Sequence, residues 1–163
     1  MFESLVLNEL ERQVAFYDDG VGTSRLKPLA WFGGMFGYGL KRNVIECYKF
    51  ICRNYKPGDD IFLFGFSRGA FTVRVLADWI LSQGLVTYEN NEARLGRLVI
   101  ASYRAYRREK CPTTILRVEK LFRILRDIIL QTPYSEVRQL YRPSIKFIGV
   151  WDTVGAYGCQ LQS

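Results

Sequence analysis

Residues Gly65-Phe66-Ser67-Arg68-Gly69 constrain the fold of this chain more than any other segment. Ahead of them runs Ile61-Phe62-Leu63-Phe64, a continuous apolar stretch of the kind shown by a parallel strand covered on both faces. Behind them, Ala70 to Ser82 reads as a helix. A serine between a buried strand and a helix sits on a turn so sharp that its own backbone is strained. Strand and helix then come too close for side chains on either side, which accounts for glycine at both 65 and 69. Such an elbow lifts a hydroxyl out of the sheet edge. The alternative is a tight turn whose serine is chemically inert.

The remaining pattern alternates strand and helix. Phe2 to Glu11 reads as a short helix, and Val14-Ala15-Phe16-Tyr17 as a strand ending in Asp18-Asp19-Gly20. Gly20 to Gly39 holds six glycines and Pro28 with little periodicity, which reads as a long loop. No Gly-Lys-Ser/Thr follows Gly33-Gly34-Met35-Phe36-Gly37-Tyr38-Gly39, which argues against a phosphate-binding loop. Val44, Tyr48, Ile51 and Tyr55 recur at helical spacing, and Pro57-Gly58 ends that helix. Gly84 stops the helix after the elbow, and Asn90-Asn91 offers a cap for a helix from about Glu92 to Lys110. Leu95, Leu98, Val99, Ser102 and Tyr106 share one side of it; Arg94, Arg97, Arg104, Arg107 and Arg108 take the other. After Cys111-Pro112 a second helix carries Val118, Leu121, Phe122, Leu125, Ile128 and Ile129 on one face, and Thr132-Pro133 closes it. Ile145 to Trp151 reads as a further strand, delivering Asp152-Thr153 into the loop Val154 to Gly158. This order predicts an α/β fold with a mostly parallel sheet and right-handed crossovers. The basic helical hairpin, about residues 92–131, reads as a cap-like insertion in a single domain spanning 1–163.

At 163 residues and 48% hydrophobic, the chain can bury a real core. No run of 18 apolar residues occurs, so no membrane span is expected, and the N-terminus lacks a basic-then-apolar leader, which points to synthesis in the cytoplasm. Cys47, Cys52, Cys111 and Cys159 form no Cys-x-x-Cys pair; with zero histidines, no metal site and no cofactor is expected, and the thiols read as reduced. The net charge of +7 is concentrated: Arg94 to Arg126 holds ten Lys or Arg against Glu109 and Glu119, a local +8, so all else sums to −1.

A serine hydroxyl needs a base to take its proton, and the base needs a third group to hold it. Ser67 is the candidate nucleophile, with Gly65 and Gly69 forming the elbow. Asp152, just past the end of a later strand, is the candidate acid; its alternative role is to cap a turn. The backbone N–H of Arg68, the residue after the serine, is the candidate oxyanion donor. Asp18 and Asp19 read as paired acids or, more simply, as an Asp-Gly turn. The base is missing, because no histidine occurs between Met1 and Ser163. Either the chain stops before its histidine or the site is dead. The arginines of the hairpin, Arg104, Arg107 and Arg108 among them, could face an anionic membrane surface or simply be solvated. Nucleic acid is not an expected partner, since no binding module accompanies the charge.

Three segments together resemble a known family. They are Tyr17-Asp18-Asp19-Gly20-Val21-Gly22-Thr23; Phe36-Gly37-Tyr38-Gly39-Leu40 through Asn43, and Tyr55 through Ala70 with its Gly-Phe-Ser-Arg-Gly-Ala; and Val150-Trp151-Asp152-Thr153-Val154-Gly155. They resemble the catalytic domain of the type VI secretion phospholipase effectors, an α/β-hydrolase family. The resemblance covers most of the chain and is weakest in the basic hairpin. It implies an α/β-hydrolase-like sheet with flanking helices, and a serine lipase or esterase that cleaves acyl esters of phospholipids. It puts Ser67 at the nucleophile position and Asp152 at the acid position. It also implies possible export by type VI secretion. Members of the family begin with a strand ending in Asp-Gly-Thr, and their histidine lies well beyond Trp-Asp-Thr-Val-Gly. The chain therefore resembles the middle of the domain, incomplete at both ends, and is expected to be inactive alone and to need its missing flanks or a partner chain to fold well. A non-catalytic relic or lipid-surface binding module is the alternative, and acyl transfer in place of hydrolysis stays open.

Overall fold

A computed structural model describes residues 13–18, 35–110 and 140–153, with side chains from 39 onward in the second stretch and from 141 onward in the third. The expected helix at Phe2–Glu11, the segment Gly20–Gly34, the second helix of the hairpin and the loop after Thr153 lie outside them, as do Asp19, Cys111 and Cys159. Helix α1 spans Met35–Asn54, strand β1 Ile61–Phe66, helix α2 Arg68–Gln83, strand β2 Leu85–Val86, helix α3 Glu92–Lys110, strand β3 Leu140–Tyr141 and strand β4 Ile145–Trp151. Parallel pairing of β1 with β4 makes one two-stranded sheet, and β2 pairs antiparallel with β3 in another. The result is a mixed helix and strand architecture with a small parallel sheet, consistent with the α/β class.

Each element answers to local chemistry. Val44, Tyr48 and Cys52 on α1 are buried, so its apolar stripe faces inward. Lys56 to Asp59 turn the chain into β1: the Asp59 N–H donates to the Lys56 carbonyl at 3.0 Å, and Gly58 takes φ 98°. Proline then glycine at the two central positions is what a type II turn requires. Gly84, at φ 73°, ends α2, its N–H donating to the Ile80 carbonyl at 2.8 Å. The Asn91 Oδ1 accepts the Arg94 N–H at 2.9 Å and caps α3 at the position the sequence pattern assigns.

The core lies where α1, α2 and α3 meet. Tyr48 and Trp79, neither with any exposed surface, stack with ring centroids 3.7 Å apart. Ser102 and the backbone of Gly84 supply the acceptors these rings need: Trp79 Nε1 donates to the Ser102 Oγ at 3.0 Å, and the Tyr48 hydroxyl donates to the Gly84 carbonyl at 2.7 Å. Burial also pushes the Tyr48 hydroxyl far above its ordinary pKa. Leu95, Val99 and Tyr106 seal the cluster, so α3, the first helix of the expected hairpin, is built into the core.

Three expectations change. Residues 13–18 form no strand, and Val14 and Tyr17 are exposed. A strand exists only through a ladder with a neighbour, and among the described residues neither sheet includes this segment; Phe16 instead stacks on Phe50 at 5.0 Å. Helix α1 begins at Met35, inside the glycine-rich stretch read as loop. Propagating a packed helix by one turn gains a bond per residue, which offsets the roughly 1 kcal/mol cost of each glycine. Finally, β1 is covered on one side: Ile61 and Leu63 join the core, while Phe62, Phe64 and Phe66 are exposed.

Candidate active site at the carboxyl end of the parallel pair

Register brings the two candidate groups side by side. Phe66 pairs with Trp151, and the Ser67 N–H donates to the Trp151 carbonyl at 2.9 Å. The next residues, Ser67 and Asp152, therefore leave adjacent parallel strands at the same sheet edge. That edge, outside the carboxyl ends of parallel strands, is where α/β sheets assemble their sites.

Ser67 is the first residue of the elbow to leave the sheet, and its backbone sits at φ 53°, ψ −116°. That is a sparsely populated conformation for a residue with a side chain, costing on the order of 1–3 kcal/mol. Serine at a helix N-cap ordinarily turns its oxygen onto a first-turn N–H. Here it makes no side-chain capping bond, although its carbonyl accepts the Ala70 N–H at 3.1 Å. The hydroxyl thus does not make the capping bond that a serine at this position normally makes.

The two flanking glycines are not equivalent. A Cβ on Gly65 would lie 2.6 Å from the Gly69 carbonyl oxygen and 2.7 Å from the Ala70 Cα, both backbone atoms that cannot yield. One on Gly69 would meet nothing within 4 Å. The close approach of strand and helix therefore requires glycine at 65 and leaves 69 with room. This corrects the expectation of a steric need at both, because only the strand residue faces the oncoming helix.

Arg68 begins α2, and a first-turn N–H has no intrahelical acceptor by position. It carries the partial positive charge of the helix start, the property an oxyanion donor needs. Asp152 is exposed and takes φ 47°, a left-handed conformation that aspartate tolerates better than most residues. Arg104 is half-buried, and Arg107 and Arg108 are exposed, all on α3. They are not brought to the site: α3 meets α2 through Tyr106 and Lys110 on Asp78, at 2.9 Å each. Ten residues of α2, about 15 Å of helix, separate Asp78 from Arg68.

Two features at the site carry little sequence signal. The carbonyl of Trp151 ties the elbow to the acid strand through backbone alone. Gly149 sits beneath three rings: a Cβ there would come within 3.0 Å of Phe64, Phe147 and Trp151. A glycine inside a strand run is the one hint of such close packing.

A parallel strand pair ending in a strained serine turn, with a carboxylate just past the neighbouring strand, sits in a mixed helix and strand architecture consistent with the α/β class. The chain belongs to the family of type VI secretion system phospholipase effector Tle1-like catalytic domains, whose profile matches residues 1–163. It is also similar to an uncharacterised protein of Saccharomyces cerevisiae, YEL023C, at 31% identity over 102 residues, which is 53% of this chain and 15% of that protein's length. No solved structure matches the chain. Among the described residues no helix is long and apolar enough to cross a membrane.

Proposed function

We propose that the chain carries the nucleophile and acid of a serine hydrolase acting on acyl esters of phospholipids. Ser67 attacks the ester carbonyl, the Arg68 N–H receives the developing oxyanion, and Asp152 orients the base. The observation that carries this reading is the backbone of Ser67: a strained serine that caps nothing, hydrogen-bonded through its N–H to the strand that delivers Asp152. Strain of this size persists where the surrounding structure holds it for a purpose. Membership of a phospholipase effector family supplies the substrate class. With no histidine among 163 residues, the base comes from outside this sequence. Hydrolysis, in place of acyl transfer, then requires water as the second acceptor. Export by type VI secretion accords with the family's description.

The test is a fluorogenic phospholipid offered to the chain alone and to a form extended downstream to the first histidine. The extended form should turn over and its Ser67→Ala variant should lose at least 100-fold, since removing a serine nucleophile can cost up to about a millionfold. Equal rates for the two would sink the reading. The lack of histidine favours a second reading, a lipid-binding module without catalysis. It prevails if the extended form is also inert while lipid binding survives.

A further inference from the structure

We infer that the outer face of α3 is an attachment surface for anionic lipid headgroups, separate from the reacting groups. The inference rests on the lipid reading of the family and not on Ser67. From Arg94 to Arg108 the helix carries five arginines and no acid. Its buried side is settled by Leu95, Val99, Ser102 and Tyr106, so at 100° per residue Arg97, Arg104 and Arg108 line the opposite side and Arg107 flanks them. Lys41 of α1 lies over the Tyr103 ring at 5.8 Å and extends the patch onto the neighbouring helix.

A solvated helix face normally interleaves acids at i,i+4. Here the acids stand at the ends and are occupied elsewhere. Glu92 takes Arg53 of α1 at 2.7 and 2.8 Å, and Glu109 accepts from Gln83 of α2 at 2.7 Å. Among the described residues neither Arg97 nor Arg107 joins an ion pair. The helix dipole rewards Arg107, Arg108 and Lys110 in the last turn, yet Arg97 lies too far from either end to gain from it. An anionic surface supplies the countercharge that Arg97 and Arg107 lack among the described residues and holds the chain against lipid by its side. Because α3 is amphipathic and its apolar side is already spent on the core, the contact is made by headgroups and not by insertion.

Flotation of the full chain with vesicles separates bound protein from self-associated protein. The chain should float with phosphatidylglycerol–phosphatidylcholine vesicles, stay behind with phosphatidylcholine alone, and lose binding as salt rises. Arg97→Glu with Arg107→Glu, both exposed, should weaken binding at least tenfold, on the scale set by one cation per headgroup contact. The neutralising set Arg104→Gln, Arg107→Gln and Arg108→Gln should act in the same direction while keeping the fold. A charge-matched control, Lys56→Glu with Arg142→Glu, should lose less than about threefold. Ser67→Ala should bind as the parent does, which keeps this outcome apart from any failure of catalysis. Equal losses in the α3 and control variants, equal binding to phosphatidylcholine, or tighter binding to duplex DNA than to the vesicles would each overturn the inference.

Discussion

The two faces of the β1–β4 sheet are built from the same kinds of residue and live in opposite environments. On one, Ile61 and Leu63 are buried against the helical layer of α1 and α2. On the other, Phe62, Phe66 and Trp151 expose 56%, 69% and 46% of their surface, with Phe64 and Phe147 between them. Phe64 packs tilted on Phe147 at 5.6 Å and stacks with Trp151 at 6.4 Å over the gap that Gly149 leaves. Several aromatic rings exposed side by side make an apolar patch, the kind of surface that marks an interaction site or an association liability. Stability should therefore be held almost wholly by the helical side, while the aromatic side governs how the chain behaves toward other surfaces.

The largest expected effect tests the helical side. Trp79→Ala removes a fully buried ring that stacks on Tyr48 and leaves the Ser102 hydroxyl without its donor. A loss of about 3–5 kcal/mol is expected in urea denaturation. Phe62→Ala on the opposite face should cost under about 1 kcal/mol. If the two variants lose equal stability, the faces are energetically alike and the contrast fails.

Next comes the elbow, where the sheet meets the helix. Gly65→Ala forces a Cβ against backbone atoms at 2.6 and 2.7 Å, and about 3 kcal/mol of stability should go with it. Gly69→Ala meets open space inside a helix and should be neutral or stabilising by up to about 1 kcal/mol. Thermal melts of both variants give the comparison directly. A Gly69→Ala loss as large as that of Gly65→Ala would mean that the elbow is tighter on its helical side than its geometry implies.

How much of this is legible in the sequence depends on whether a signal is local. Helix α3, strand β4 and the stop at Gly84 follow from periodicity and punctuation, and each lies where those cues put it. Strands β2 and β3, two residues each, are too short to carry a period and exist only through one another. The run Ile61 to Phe64 reads as buried on both faces, since a continuous apolar strand announces that it wants cover without saying whether cover is present. Ser102 sits on an apolar stripe, and nothing in its spacing marks it as the acceptor for Trp79. At the site, the pairing of Ser67 with Asp152 was visible as two ends of two strands. The backbone link through Trp151 required the register.

A smaller effect reports how dry the helical side is. Burial pushes the Cys52 thiol and the half-buried Cys47 thiol up to about 12, from an ordinary thiol value of 9.0. Folding therefore holds both protonated, and that contribution is intact below pH 9 and lost as pH rises toward 12. Stability should fall along that limb, and replacing both cysteines by alanine should make the fall shallower. Alkylation at pH 8 should track unfolding; rapid labelling of the native chain would show that water reaches this side.

The smallest change in stability, and the sharpest in behaviour, belongs to the aromatic face. Phe62 and Phe147 stand opposite one another in the register and are both half exposed or more. Phe62→Lys with Phe147→Glu replaces an apolar cross-strand pair by an oppositely charged one, which compensates within about 1 kcal/mol. The parent chain should associate as its concentration rises in sedimentation velocity, and the double variant should stay monomeric with nearly the same melt. A parent that remains a clean monomer would show that this face tolerates water, and a variant that still associates would move the cause elsewhere. The charge pair is preferred to single lysines because two like charges opposite each other would themselves loosen the sheet. A change in stability could then be mistaken for a change in surface.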